Sequence, residues 1–158
     1  MQKHSRRNFL LQLPTGLAAL TMALRAPQSI AQSATIIPHA ALIEPADAAA
    51  MLDKPTNHRW KILQVGFHSM YDQKHIRGAV YAGPASRAEG LATLKQAVDS
   101  LPRTTPILLY CGCCPWTHCP NIAPAWGALQ AMRFQAVRVI EITNNFGDDW
   151  VAKGYPVA

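Results

Sequence analysis

The sequence predicts a single α/β domain built on a central, mostly parallel sheet with helices on both faces. Three observations point there. Strand-like and helix-like segments alternate along the chain, the pattern of repeated βα units. The run Ile107-Leu108-Leu109-Tyr110 is apolar without alternation, as in a strand covered on both sides. The 158 residues are 49% hydrophobic, enough for one core that does not need disulfides to hold it.

The chain opens with Lys3, Arg6 and Arg7 ahead of an apolar run from Phe9 to Leu24, broken by Gln12, Pro14, Thr15, Gly16 and Thr21. Ser29-Ile30-Ala31 then supplies the small residues that a signal peptidase cuts after. That run is short and interrupted for a membrane anchor. Ser5-Arg6-Arg7-Asn8-Phe9-Leu10 resembles the twin-arginine export signal, which carries folded proteins out of the bacterial cytoplasm. Residues 1–31 are therefore expected to be a signal peptide, and the mature protein a periplasmic one with no stable membrane anchor. The net charge of +6 then misleads: Lys3, Arg6, Arg7 and Arg25 supply four of those charges and no acid precedes residue 32, leaving +2. A body so nearly neutral argues against a nucleic-acid partner.

Residues 32–41 read as a loose leader and 42–158 as the domain. Residues 45–52 suit a helix, with Pro45 in the first turn and Asp47 at the positive end of the dipole. Residues 60–65 alternate and stop at Gly66, which predicts a strand. A short polar turn leads to His75-Ile76-Arg77-Gly78-Ala79-Val80-Tyr81. Ser86-Arg87-Ala88-Glu89 has the form of a capping box, opening a helix that reaches about Leu101 before Pro102. After the strand 107–110 comes a helix over 122–133, with Asn121 as its N-cap and Pro124 in its first turn. Residues 137–142 predict a further strand. Residues 146–153 predict a closing helix, capped by Asp148 or Asp149 and stopped by Gly154 and Pro156.

All four cysteines fall within Cys111-Gly112-Cys113-Cys114-Pro115-Trp116-Thr117-His118-Cys119-Pro120-Asn121. This loop leaves the carboxyl end of the predicted central strand, where open α/β sheets bind ligands, and runs into a helix start. Unpaired N–H groups at a helix start favour a thiolate and make it a better nucleophile. Cys111 directly follows the strand, and a cysteine so placed is often an inert core residue. Four cysteines in so short a loop argue for chemistry instead. Gly112 lets the backbone bend its N–H groups towards an anion. His118 is the loop's only potentially basic side chain and a candidate acid or base. Cys111 and Cys114 also form a C-x-x-C pair, so redox exchange or a structural disulfide stays open. Cys111, Cys113, Cys114 and Cys119 together could wrap zinc or copper(I), although the two-arm spacing of a zinc ribbon is missing. His75 reads as a hydrogen-bonded structural residue, Trp116 and Trp126 as packing, and Arg87 as a residue near the site.

The order of these features resembles the rhodanese superfamily of sulfurtransferases. Residues 62–65 resemble its first core strand, His75-Ile76-Arg77-Gly78-Ala79 its His-Ile-x-Gly-Ala segment, and Tyr110-Cys111 the strand end bearing the catalytic cysteine. Trp150 and Gly154-Tyr155-Pro156-Val157 resemble its closing motif. The resemblance implies that Cys111 accepts sulfur from a donor such as thiosulfate or a persulfide. A thiol or a cyanide-like acceptor would then take it, without a cofactor. Cys113, Cys114 and Cys119 are alternative carriers or resolving thiols, and Gly112, His118 and Asn121 support the loop and its thiolate. The sequence departs from the family pattern in three respects. Gln64-Val65-Gly66 stands where the family has Asp-x-Arg, the loop is longer, and it holds no arginine. Two other readings share the scaffold: a thiol–disulfide or soft-metal protein, and a catalytically silent binding module.

Overall fold

Five strands pair in the order β1-β5-β4-β2-β3, with every pairing parallel, in the computed structural model, which describes residues 37–55 and 59–158. The expected signal peptide over 1–31, and the leader as far as residue 36, lie outside the described residues. No described helix is long and apolar enough to cross a membrane.

The elements run β1 (Leu42–Ile43), α1 (Pro45–Leu52), β2 (Lys61–Gln64), α2 (His68–Gln73), β3 (Val80–Tyr81), α3 (Ala88–Val98), β4 (Ile107–Tyr110), α4 (Ile122–Ala131) and β5 (Val137–Ile140). β4 lies at the centre, pairing with β2 on one side and β5 on the other. All four of its residues are buried, which is why the sequence there shows no alternation. Successive residues point to opposite faces. Leu63, Ile107, Leu109 and Val139 pack against α3 and α4 through Leu94, Val98, Ile122 and Leu129. Ile62, Leu108 and Ile140 pack the other way, against Ala48, Ala49 and Leu52 of α1 and against Trp150. Helices cover both faces, as predicted.

Several local expectations change. Part of the predicted leader is ordered: residues His39–Ala41 form a 3-10 turn, and β1 follows it to pair with β5. A two-residue strand is too short to show alternation. The polar turn after Gly66 is the helix α2, which buries none of its residues and so carries no apolar period. The capping box does not form. Arg87 occupies the N-cap of α3, and the Ser86 N–H donates to Asn121 Oδ1 at 2.9 Å. Asn121 does sit at the N-cap of α4, but its side chain makes no cap hydrogen bond. The closing helix is a π-helical turn, Gly147–Val151. Neither Asp148 nor Asp149 caps it: Asn145 Oδ1 accepts the Asp148 N–H at 3.0 Å, and Asp149 accepts the Asn144 N–H at 2.7 Å. Asn145, upstream, takes the helix-start N–H that the acids are expected to accept, while Asn144 donates to Asp149.

Candidate functional site

β4 ends on Tyr110, and the next residue points to the opposite face, so the pleat directs Cys111 towards α4. The chain then turns sharply at Gly112, whose φ of 87° falls in the left-handed region. A Cβ on Gly112 would lie 2.8 Å from Phe146 Cβ, so glycine is needed here for space as well as for conformation. The loop is fastened to the segment after β5: the Phe146 N–H donates to Gly112 O at 3.0 Å, and the Trp116 N–H to Ile142 O at 2.8 Å. A 3-10 turn, Trp116–His118, folds the chain back so that Cys119 comes in beneath the strand end, just before α4.

This path gathers the sulfurs. Cys113 Sγ lies 3.1 Å from Cys111 Sγ, 3.2 Å from Cys114 Sγ and 3.9 Å from Cys119 Sγ. The sulfurs of Cys111, Cys113 and Cys119 all fall within 4.8 Å of one another. All four are free thiols. Cys111 and Cys119 are buried, at 3% and 6% exposure, while Cys113 and Cys114 are half-buried at the mouth. Of the four cysteines read as a possible metal set, three converge.

Two buried amides frame the cluster. Asn121 Nδ2 donates to Cys111 Sγ at 3.4 Å, while its Oδ1 is held by the Ser86 N–H. Gln64 Nε2 donates to Cys111 O at 3.3 Å, and Gln64 Oε1 is buried without a hydrogen-bond partner. Gly66 leaves room for both groups, since a Cβ there would stand 2.6 Å from Gln64 Nε2 and 3.2 Å from Cys111 Sγ.

The lowered thiol pKa expected at Cys111 falls on Cys119. The neighbouring Cys111 thiol holds the Cys119 sulfur as an anion, and the backbone N–H groups of Asn121 and Ile122 reinforce it, bringing its pKa down to about 5. Burial opposes this and loses. Cys111 moves the other way: the Cys119 anion beside it, together with burial, raises its pKa and keeps its proton on. Cys114 is pushed up to about 12, by burial first and then by its thiol neighbours. The donors at the helix start act as expected, but on the cysteine nearest to them in the chain.

His118 is not drawn into the cluster. It is exposed, and its Nδ1 lies 3.0 Å from Thr117 Oγ1. Arg87 is exposed at the start of α3. Trp126 is buried against the core on the α4 side, and Trp116 is half-buried in the loop. His75 Nδ1 lies 2.8 Å from Tyr71 O, and its ring stacks on that of Tyr71 at 3.9 Å, which steadies the turn before β3. Three contributors were not assigned to the site from sequence: Gln64, Ser86 and Phe146. For Gln64 a signal existed, because the sequence resemblance sets it where the rhodanese superfamily has an aspartate.

Solved structures share this architecture. The rhodanese-like domain of an Anabaena sp. protein superposes with a TM-score of 0.54 at 22% identity, over 75% of this chain and 78% of that one. The fold is rhodanese-like. A single-domain sulfurtransferase of Saccharomyces cerevisiae has the same rhodanese-like arrangement, with a TM-score of 0.55 at 12% identity over 76% of this chain and 94% of its own. A Bacillus halodurans protein matches at a TM-score of 0.55 and 16% identity, over 73% and 74% of the two chains. No protein-family model and no curated protein matches the sequence. On a rhodanese-like fold, then, this chain presents a cluster of thiols at the carboxyl end of the central strand.

Proposed function

We propose that this protein is a sulfurtransferase that carries sulfane sulfur as a persulfide on its cysteine loop, with Cys119 as the entry thiol. The observation that carries this reading is the pair formed by Cys119, set against the N–H groups that open α4, and the proton-bearing thiol of Cys111. A thiolate so held is a nucleophile at neutral pH without any basic side chain in the loop. It would attack the outer sulfur of a donor such as thiosulfate. A new S–S bond forms on Cys119 while the donor's own S–S bond breaks, and sulfite leaves with the electron pair. A thiolate or cyanide-like acceptor then attacks the terminal sulfur, and Cys119 departs as the thiolate it began as. Cys111, which the family resemblance made the carrier, holds the proton that steadies this leaving group. The rhodanese-like fold and the sulfurtransferase among its structural neighbours support the reading. Export by the twin-arginine route would place the reaction in the periplasm.

The test is peptide mass analysis after exposure to thiosulfate. The Cys119 peptide should gain one sulfur atom, about 32 Da, and Cys119→Ser should remove the gain. Labelling should persist as the pH falls to about 5 and drop below it, whereas an ordinary thiol loses reactivity below about 8.5. Cys111→Ala, which removes the donor, should move that midpoint upward. A gain confined to Cys111, or none at all, defeats the assignment.

A further inference from the structure

We propose that Cys111, Cys113 and Cys119 form a three-coordinate thiolate site for one copper(I) ion. This inference rests on the geometry of the cluster and not on the sulfurtransferase reading. A metal about 2.3 Å from each of three sulfurs, at the centre of their triangle, sets the sulfurs about 4.0 Å apart. The observed separations lie close to that figure: 3.1 Å for Cys111–Cys113, 3.9 Å for Cys113–Cys119, and no more than 4.8 Å for the third edge. Closing the site asks for sub-ångström movement of side chains, two of which are already fixed by burial in the core.

The number and kind of donors choose the metal. Only sulfur converges here, and soft thiolates select copper(I) or zinc over harder ions. Zinc in a structural site takes four ligands in a tetrahedron. The fourth cysteine does not complete one. Cys114 Sγ lies 3.2 Å from Cys113 but is not among the three sulfurs that lie mutually within 4.8 Å. His118 is turned outward onto Thr117. A water would be the remaining fourth ligand, but Cys111 and Cys119 are packed among Val65, Ile122 and Ala125. Three soft donors, two of them buried, match the trigonal preference of a d10 ion with a single charge.

The surroundings hold the ligands as a metal site requires. Asn121 Nδ2 donates to Cys111 Sγ, and the amide is itself fixed by the Ser86 N–H, so the first ligand is oriented from the segment that leads into α3 as well as from the start of α4. Groups of this kind, one bond out from a metal, commonly change affinity by 10- to 100-fold. Binding is ligand exchange and not a redox step. Copper enters as Cu(I) and stays Cu(I), three Cu–S bonds form, and each thiol still carrying a proton releases it to solvent.

The experiment is a titration of the reduced full chain with Cu(I) under anaerobic conditions, against a chromophoric Cu(I) chelator as competitor. One equivalent should move to the protein, and X-ray absorption should show three sulfur neighbours. Cys111→Ser, Cys113→Ser and Cys119→Ser should each lose the tight equivalent, and Cys114→Ser should keep it. Asn121→Ala should weaken binding by about 10-fold or more. Far-UV circular dichroism of each variant separates lost ligation from lost fold. Cys113→Ser distinguishes the two proposals, because it should abolish copper binding while thiosulfate still labels Cys119. No transfer of copper from the chelator overturns the inference. So does loss of binding in Cys114→Ser, or displacement of Cu(I) by equimolar Zn(II), since either indicates a four-sulfur site.

Discussion

The two faces of the sheet finish differently at the carboxyl end of β4. On one face Tyr110 packs against Phe146, with ring centroids 5.6 Å apart, Phe146 packs against Trp150 at 6.3 Å, and Trp150 meets Tyr155 edge-on at 5.2 Å. Two polar handles of that stack are occupied: Tyr110 Oη accepts the Ile76 N–H at 3.1 Å, and Trp150 Nε1 donates to Pro156 O at 3.0 Å. Burial raises the Tyr110 pKa, so the phenol stays neutral. On the other face, one residue further along, the same strand ends in thiols of unequal acidity. The first face buries large side chains, with the Trp150 indole N–H and the Ile76 N–H both paired, which is what stability asks for. The second buries ionisable sulfur against a few N–H groups. It is held in place by its neighbours, Gly112 beneath Phe146 among them. The last residue of β4 and the one that follows it thus face an aromatic stack and a thiol cluster respectively.

That division can be broken in stages. The largest effect is expected for Trp150→Ala, which empties a fully buried site. It should cost about 3–5 kcal/mol in denaturant unfolding, while thiosulfate labelling per folded molecule is kept. A loss under about 1 kcal/mol would mean that the aromatic face is not the stabilising one. Asn121→Ala comes next. It strips the donor from Cys111 and the acceptor from the Ser86 N–H, and should cost about 1–2 kcal/mol. Unlike Trp150→Ala it should also alter thiol reactivity, read as the rate of alkylation of Cys119. Tyr110→Phe is the mildest: it leaves the buried Ile76 N–H without its acceptor, for about 1 kcal/mol. Cys119 alkylation should be unchanged, and a change would show that the faces are coupled through β4.

Much of the architecture was legible beforehand. The residues of β4 carry an unbroken apolar run because both sides are covered, and α1 was read over its observed span, Pro45–Leu52, from a proline and an aspartate placed where a helix start tolerates them. What escaped lacked a periodic signal. α2 buries nothing, and β1 is two residues long. The expected capping box does not form because a side chain 35 positions away competes for Ser86: Asn121 Oδ1 takes its N–H, and the helix begins one residue later. No local rule contains that competitor.

The same division applies to the site. The sequence by itself determined the scaffold and the place, because hydrophobic period and strand order locate the carboxyl end of a central strand, and four cysteines follow it. Which sulfur bears the charge was decided only in three dimensions. Cys119 has its N–H donors close by in the chain, but the Cys111 thiol reaches it only after Gly112 turns and the 3-10 segment folds back. The ionisation of a buried thiol depends on every group packed around it, and that packing is assembled from strands, loops and helix starts far apart in the chain.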